Sequence, residues 1–407
     1  MDGADKWARL CRYSQSSMRR PNSLALCCRP HFKDAALLAL LSLCIWLYLF
    51  FMHGRFWLSA PELQPALPVK CPDVDIIVPA RDEAETIGRV IASLLAQDYA
   101  GRFQVILVDD SSSDGTASTA AAAAGAGKSL RIITGQPKPA GWSGKLWAVS
   151  QGIEQSSAQV MLLADADIVH DPRHLATLVA RLDSPAVDMV SEMVRLNCVS
   201  FAERALVPAF VYFFQMLYPF ARVNEERSRV AAAAGGTVLI RRSAVERIGG
   251  IASIRGALID DVTLAKSVKR GGAIYLGHSG LATSIRPYPR VADIWHMITR
   301  TAFTQLHYSG ALLLLTLLGL TLVWWVPVVE AVVGQGWSRA CGAAAFLLAA
   351  FSFLPTLRRY GRSPIWSLGL PLIALFYMGA TLSSALNYWR GSGARWKNRD
   401  YGEEPKA

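Results

Sequence analysis

Two carboxylates that follow an apolar segment are the residues of this chain best placed to do chemistry. Asp165 and Asp167 flank one alanine just after the apolar residues 160–163, so an extended backbone projects both carboxylates to the same side. In nucleotide sites Mg²⁺ and Mn²⁺ take one or two carboxylates together with phosphate oxygens. The spacing therefore predicts a divalent-cation site for a substrate that carries a diphosphate.

A second pair, Asp260 and Asp261, precedes a segment of helical spacing in which Leu264 and Val268 share one face. One interpretation is structural, because negative charge stabilises the N-terminus of a helix. The other is catalytic: a carboxylate here acts as a general base that takes a proton from an acceptor hydroxyl. Together with the first pair, the residues favour the base.

Two further acidic pairs and one lysine complete the set of candidate residues. Asp82 with Glu83, and Asp109 with Asp110, each follow a short apolar segment, and a glycine-containing loop ends at Lys145. That loop lacks the spacing of a Walker motif, and no G-x-G-x-x-G follows the first apolar segment. A nucleoside triphosphatase and a dehydrogenase are therefore disfavoured.

The elements that position these residues alternate between strands and helices over about residues 74–282. Helices are expected at 84–97 and 117–124. Strands are expected at 75–79, 103–108, 131–134 and 160–163. The alternation predicts one α/β domain, residues 70–308, with a mostly parallel sheet that binds ligands at the carboxyl ends of its strands.

Uncharged segments on both sides of this domain are long enough to cross a bilayer, which takes about 20 apolar residues. The first is predicted as a membrane helix at 35–53, and two to three more are predicted within 309–390. Residues 340–354 are the weakest candidate, because so short a segment can also be a buried helix. A basic segment at 1–34 and a polar tail at 391–407 complete the predicted organisation.

The formal net charge of +11 is concentrated partly beside these segments. The basic residues there are Arg19, Arg20, Arg29, Lys33, Arg358, Arg359 and Arg362. Anionic lipid headgroups are the expected partner, and nucleic acid is not, because no basic run is interleaved with aromatic residues. The basic residues from Arg19 to Lys33, before the first apolar segment, predict a cytoplasmic N-terminus. Those from Arg358 to Arg362, between the last two segments, instead predict that the catalytic domain lies in the cytoplasm. We favour the second orientation, with the protein in the inner membrane of the cell.

In its motifs and their order, the chain resembles the family 2 glycosyltransferases, whose catalytic domain has the GT-A fold. The matching segments are Ile77 to Glu83, Val108 to Gly115, Asp165 to Asp167, Gly235 to Arg242, and Asp260 with Asp261. The resemblance implies an inverting, metal-dependent transferase whose donor is a nucleotide-sugar, with UDP as the expected nucleotide. It also implies that Asp167 coordinates Mg²⁺ or Mn²⁺ beside Asp165, and that Asp261 is the base with Asp260 beside it.

The resemblance also places the donor and the acceptor. Positions expected to bind the substrates are Pro79, Asp82, Glu83, Asp109, Asp110, Lys145, Asp165 and Gly236. Processive relatives carry Gln-x-x-Arg-Trp where this chain has residues 297–301, of which only Arg300 matches. Arg300 is thus a candidate catalytic residue, and the missing tryptophan favours transfer of a single sugar.

The acceptor is expected to be a membrane lipid hydroxyl. The aromatic segment 201–220 is interpreted either as a helix in the membrane interface or as a buried helix. The chain is most similar to a subgroup associated with hopanoid biosynthesis and is also similar to ceramide glucosyltransferases, so a hopanoid is one expected acceptor. A polysaccharide or polyprenyl-phosphate transferase and a catalytically inactive, nucleotide-sugar-binding membrane scaffold remain alternatives.

Overall fold

The computed structural model describes residues 29–59, 61–125, 129–183 and 187–391, together with 395–396 and 399–400. Most of the predicted basic segment at 1–34 and of the polar tail at 391–407 lies outside the described residues. The orientation argument that rests on Arg19 and Arg20 therefore stays a prediction.

An eight-stranded sheet, in the order β3-β2-β1-β4-β7-β6-β8-β5, forms the centre of the domain. Its strands are β1 (Val74–Ala80), β2 (Phe103–Asp109), β3 (Leu130–Thr134), β4 (Val160–Ala164), β5 (Ile168–His170), β6 (Val187–Arg195), β7 (Thr237–Arg241) and β8 (Ala273–Ser284). The first four strands pair in parallel, as predicted. The sheet as a whole is mixed, because β7 is antiparallel to both β4 and β6. Two short strands, β9 (Arg395–Trp396) and β10 (Arg399–Asp400), pair separately.

Helices cover both faces of the sheet and continue beyond it. They are α1 (Arg29–Phe51), α2 (Ala84–Leu95), α3 (Thr116–Ala124), α4 (Gly144–Glu154), α5 (His174–Leu182), α6 (Phe201–Leu217), α7 (Phe220–Asn224), α8 (Arg242–Arg247), α9 (Asp260–Lys269), α10 (Val291–Thr299), α11 (Ala302–Gln305), α12 (Gly310–Leu320), α13 (Val326–Val333), α14 (Trp337–Arg359) and α15 (Leu370–Trp389). Short 3-10 turns lie at Phe56–Leu58, Ile251–Ile254 and Pro364–Gly369, and a π-helical turn lies at Thr321–Trp325.

Strand β1 lies at the centre of the domain and is buried along its whole length. Helix α2 packs its apolar face against one side of the sheet, as the helical spacing of its residues predicts. On the other side α4 approaches so closely that a Cβ at Gly152 would collide with Ile77. This close packing brings Lys145, in the first turn of α4, to the carboxyl ends of β1 and β4.

Four helical segments in the described part of the chain are long and apolar enough to cross a membrane. They are Asp34–Phe51, Gly310–Val333, Trp337–Arg359 and Pro364–Trp389, called here the first to fourth apolar helices. The third includes residues 340–354, which the sequence left as the weakest candidate.

The first three apolar helices pack together through aromatic side chains. Trp46 of the first donates its indole N–H to the carbonyl of Val323 in the second, at 2.8 Å, and lies against Trp324. Phe50 of the first helix meets Phe351 of the third, with ring centroids 5.9 Å apart. The fourth apolar helix contacts the second and third and also packs on α10 and α11, where Phe376 contacts Trp295 and Trp389 contacts Phe303.

Helix α6 is the aromatic segment for which the sequence left two interpretations. The Tyr212 hydroxyl is 2.6 Å from Ser352 Oγ in the third apolar helix, and Tyr377 in the fourth donates to the carbonyl of Leu206 at 3.2 Å. Tyr212 and Leu206 are buried. One face of α6 is therefore buried between the catalytic domain and the apolar helices, while Phe201 and Leu217 at its two ends are exposed.

Candidate functional site

The predicted acidic residues meet at one edge of the sheet, because they follow neighbouring strands. Ala80 of β1 is level with Asp109 of β2, and Ile77 of β1 is level with Leu163 of β4. Asp82 and Glu83 continue from β1, Asp110 from β2, and Asp165 from β4. Parallel pairing thus gathers these carboxylates at the carboxyl ends of the strands.

Loops after β1 and β2 are locked together by side-chain hydrogen bonds. The Asp82 carboxylate accepts the Ser113 N–H at 2.9 Å, and the Asp82 N–H donates to Ser112 Oγ at 3.0 Å. Asp82 also has a φ of 49°, in the left-handed region that side chains other than glycine rarely adopt. Such strain costs on the order of 1–3 kcal/mol and is concentrated at functional sites, where the surrounding contacts hold it.

Between the two loops lies the side chain of Arg81. Its guanidinium is 3.7 Å from the Asp110 carboxylate and 3.9 Å from that of Asp82. Asp110 is buried and donates its own N–H to the Ala80 carbonyl at 2.8 Å, while Asp109 accepts the Ser112 N–H at 3.1 Å. These contacts hold the carboxylates of both loops in fixed positions at the carboxyl ends of the strands.

A cavity beside these loops joins several of the other predicted residues. Among its lining residues are Pro79, Lys145, Asp165, Gly235, Asp260 and Asp261. The Lys145 ammonium bridges Asp165 at 2.9 Å and Asp260 at 3.2 Å. Burial alone would lower the pKa of Lys145, but the two carboxylates raise it well above its usual range. Lys145 is thus a fixed cation between the two acidic pairs.

Asp261 lies in the first turn of α9, and backbone groups hold its carboxylate. The N–H of Gly235 donates to it at 2.9 Å and the N–H of Val262 at 2.7 Å. Burial and the neighbouring Asp260 raise the pKa of Asp261 to about 7, against the opposing effect of Lys145. A carboxylate with a pKa near neutrality is suited to general base catalysis.

The two adjacent glycines differ in what they contact. A Cβ at Gly235 would lie 3.2 Å from the Asp261 carboxylate and 3.4 Å from the Lys145 ammonium. Gly236, the position predicted from the sequence, packs instead against Val194, and its carbonyl accepts the Asp165 N–H at 3.1 Å. Gly235 was not predicted as a site residue, although it lies in the motif that suggested Gly236.

Arg286 is a site residue that sequence reasoning missed. Its guanidinium joins the carboxylates of Glu83 and Asp167, each at 2.6 Å. Burial works against the charge of Arg286, but these two carboxylates raise its pKa. The only signal in the sequence is a basic residue after β8, which gives no indication of contacts 203 and 119 residues away.

A buried glutamate, also missed, fixes the segment that carries Arg286. Glu203 accepts the N–H groups of Tyr288 and Ser200, each at 2.7 Å, and that of Val199 at 2.9 Å. Burial favours the neutral acid, but these hydrogen bonds prevail and lower the pKa of Glu203. The Ser200 hydroxyl completes a capping box with Glu203 at the start of α6, so one carboxylate connects that helix to the site.

The side chains that could bind a divalent cation offer oxygen ligands. Asp165 and Asp167 lie side by side after β4, but each has one carboxylate oxygen on a cationic side chain, Lys145 or Arg286. Within the described residues no group of three or more His, Cys, Asp or Glu side chains could hold a metal ion. Two carboxylates still suit Mg²⁺ or Mn²⁺ when the substrate diphosphate supplies further oxygens, so the residues fit such an ion.

Arg300 directly follows α10, and its catalytic role stays a prediction. Its side chain is exposed, and in the described part of the chain it forms no hydrogen bond or ion pair with the predicted residues. Burial raises the pKa of Tyr288, against the smaller opposing effects of Arg286 and Arg300. Gln305, in the next helix, donates to the Tyr218 hydroxyl, whose pKa is raised by burial and also by Asp261.

Comparisons of sequence with known proteins match part of this chain. Residues 75–249 match the family described as Glycosyl transferase family 2. Over 126 residues the chain is 28% identical to the Dodecaprenyl-phosphate galacturonate synthase of Rhizobium johnstonii, covering 30% of this chain and 36% of that protein. Over 117 residues it is 36% identical to an N-acetylglucosaminyltransferase of Rhizobium leguminosarum bv. viciae, covering 28% and 27%. The chain thus spans about a third or less of each relative.

A solved structure extends the likeness to most of the chain. The mannosyltransferase PcManGT from Pyrobaculum calidifontis, in complex with GDP-Man and Mn²⁺, superposes with a TM-score of 0.54 at 19% identity. The match covers 88% of this chain and 99% of that protein. It confirms the predicted fold class, a GT-A domain, whose Rossmann-like sheet is mixed rather than mostly parallel.

Proposed function

We propose that this chain, which carries a family 2 glycosyltransferase domain, transfers a single sugar from a nucleotide-sugar to a membrane lipid hydroxyl with inversion of the sugar carbon. The observation that carries the proposal is the position of Asp261. Its carboxylate borders the cavity that also contains Lys145 and Asp165, and its pKa is about 7. A base of this kind is needed for a hydroxyl acceptor.

On the donor side, the nucleotide lies over the loops that follow β1 and β2. Asp82 and Asp110 contact the ribose and the base, and Pro79, Glu83, Asp109 and Gly236 shape the surrounding surface. Lys145 and Asp165 face the diphosphate from the cavity. UDP is the first nucleotide to test, from the motif resemblance, and GDP is the second, because the fold neighbour holds GDP-Man.

A divalent cation, Mg²⁺ or Mn²⁺, would be held by Asp167 and Asp165. When bound, it neutralises charge on the diphosphate leaving group. The carboxylate chemistry supports this assignment, and the fold neighbour was solved with Mn²⁺. Arg286 then serves to hold Asp167 and Glu83 in place beside the donor.

In the transfer step, Asp261 takes the proton of the acceptor hydroxyl while the hydroxyl oxygen forms a bond to the anomeric carbon. The bond from that carbon to the diphosphate oxygen breaks, and its electron pair leaves with the nucleoside diphosphate. Attack in line with the leaving group inverts the anomeric carbon. The Gly235 and Val262 N–H groups keep Asp261 oriented for this proton transfer.

A membrane lipid as acceptor is supported by the contacts between the domain and the apolar helices. Trp295 and Gln305 lie beside the catalytic domain, and Trp295 packs on the fourth apolar helix. The missing tryptophan after Arg300 supports transfer of one sugar rather than chain extension. A hopanoid-type lipid is the acceptor suggested by the motif resemblance.

A polyprenyl phosphate is the second candidate acceptor, favoured by the similarity to a Dodecaprenyl-phosphate galacturonate synthase. The two acceptors differ in their need for a base. A phosphate monoester oxygen is already anionic at neutral pH, since its second pKa is about 6, whereas a hydroxyl must lose its proton. Asp261 therefore supports the hydroxyl acceptor.

We also propose that the catalytic domain faces the cytoplasm from the inner membrane. Arg359, at the end of the third apolar helix, pairs with Glu62 and donates to the Ser279 carbonyl at 2.8 Å. Arg358, in the last turn of the third apolar helix, and Arg362, just after it, thus lie on the side of the catalytic domain. Short basic loops are found on the cytoplasmic side, where nucleotide-sugars are made available to enzymes.

The test uses the full-length protein in detergent with a panel of UDP- and GDP-sugars, with Mn²⁺ or Mg²⁺. One set of reactions receives a neutral lipid extract, and another receives a polyprenyl phosphate. Release of nucleoside diphosphate that requires the neutral lipid and produces a glycolipid supports the proposal. Turnover with the polyprenyl phosphate alone would show that this phosphate, and not a lipid hydroxyl, is the acceptor. Donor binding without turnover on either lipid would favour an inactive scaffold.

A further inference from the structure

A second cavity lies where the catalytic domain meets the apolar helices, separate from the cavity around Asp261. Its lining residues are Leu58, Ser59, Glu62, Arg195, Ser279, Gly280, Pro355, Arg358 and Arg359. Its volume of about 390 Å³ is within the range of small-molecule sites. None of these residues lines the first cavity. We call this cavity the junction pocket.

The lining of the junction pocket is strongly basic, with three arginines against one glutamate. Arg359 is held in place by Glu62 and the Ser279 carbonyl. Arg195 and Arg358 are exposed and, among the described residues, take part in no ion pair or side-chain hydrogen bond. Contacts within the protein thus occupy the guanidinium of Arg359, whereas those of Arg195 and Arg358 are available to a ligand.

Neighbouring aromatic residues indicate the depth of the junction pocket. Trp57 stacks on Phe50 with ring centroids 4.4 Å apart, and it also meets Phe351 at 5.9 Å. Aromatic belts of this kind mark the surface of a bilayer. Leu58 directly follows Trp57, and Pro355 lies one helical turn beyond Phe351. These contacts support a position of the junction pocket near the lipid headgroups.

We propose that the junction pocket binds the phosphate of an anionic phospholipid headgroup from the leaflet that the catalytic domain faces. A guanidinium is the side chain best matched to phosphate oxygens, with which it forms paired hydrogen bonds. The bound lipid would hold the end of β6 and the middle of β8 at the membrane surface. This proposal requires membrane insertion but not glycosyl transfer.

The test measures lipid retained by the purified full-length protein, by native mass spectrometry, after exposure to phosphatidylglycerol or phosphatidylcholine. The wild-type protein should retain phosphatidylglycerol preferentially. Arg195→Gln and Arg358→Gln should each lower this retention about fivefold, since one basic residue near an anionic surface contributes about 1 kcal/mol. Arg390→Gln is the matched control, because Arg390 follows the fourth apolar helix without lining the junction pocket.

Glu62→Gln provides a variant with the opposite expected result. Removing the only acid of the junction pocket should increase phosphatidylglycerol retention, which a damaged fold would not do. An equal loss in Arg390→Gln and in the two pocket variants would overturn the proposal. Displacement of the lipid by millimolar inorganic phosphate would assign the junction pocket to a soluble phosphate compound and overturn the lipid source. If the protein retains the lipid but transfers no sugar, the proposed transferase activity is contradicted and the proposed lipid site is not.

Discussion

The two acidic pairs of the site are held in different ways. Asp165 and Asp167 are held by cationic side chains, Lys145 and Arg286. In the second pair Asp260 also lies against Lys145, but the Asp261 carboxylate is held by two backbone N–H groups. Side-chain partners can move when a charged ligand arrives, whereas the backbone partners stay. We infer that the first pair is suited to exchange cations, and that the second is suited to keep one carboxylate oriented.

The largest expected effect comes from breaking the second pair. Asp261→Asn keeps the shape of the side chain but removes the base, so turnover should fall about 10²- to 10⁴-fold. Donor affinity should stay within about twofold, because the nucleotide lies over other loops. Asp260→Asn is the matched control and should cost less. Unchanged product formation by Asp261→Asn would contradict the assignment of Asp261 as the general base.

Asp167→Asn tests the first pair. With one carboxylate removed, Mn²⁺ affinity measured by calorimetry in the presence of nucleoside diphosphate should fall on the order of tenfold or more. Asp171→Asn is the control, since Asp171 is a nearby acid already bound to Arg173. If both variants bind Mn²⁺ like the wild type, the cation lies elsewhere.

Lys145 contacts both acidic pairs. Its substitution is expected to change the pH dependence of kcat. Asp261 must be ionised to act as a base, so kcat should rise with pH and reach half its maximum near pH 7. Lys145 lowers the pKa of Asp261, so Lys145→Gln should move this midpoint to higher pH. Lys138→Gln, which removes a cation bound to the Trp142 carbonyl, should leave it in place. A midpoint that moves to lower pH would contradict the coupling.

The smallest effect separates the two adjacent glycines. Gly235→Ala would place a methyl group 3.2 Å from the Asp261 carboxylate, so kcat should fall about tenfold through misorientation of the base. Gly236→Ala instead meets Val194 at 3.3 Å and should affect kcat less. Steady-state kinetics of both variants at saturating donor makes the comparison. A larger loss in Gly236→Ala would indicate that the acceptor, rather than the base, depends on this segment.

Much of the donor side could be predicted from the sequence. Acidic residues after apolar segments indicate strand ends, and parallel pairing brings such ends together, as Asp109 and Asp165 show. The order of later strands could not be predicted in this way, because apolar runs do not specify the direction of pairing. The antiparallel insertion of β7 between β4 and β6 is an example.

Contacts between segments far apart in the sequence could not be predicted either. Arg286 reaches Glu83, and Glu203 reaches Tyr288, across 203 and 85 residues, and neither pair has a local motif. Helix α6 could not be placed either, because an aromatic composition suits both a membrane interface and a buried helix. Its contacts with Ser352 and Tyr377 show which face is buried, and no local pattern in the sequence indicates these partners.

The most direct test of the proposed chemistry is the anomeric configuration of the product. The purified full-length protein is given an α-linked nucleotide-sugar and its lipid acceptor, and the new glycosidic bond is assigned by proton NMR. We predict a β-linked product, because a hydroxyl activated by Asp261 attacks the sugar carbon in line with the leaving diphosphate. An α-linked product would contradict this mechanism and would require a different role for Asp261.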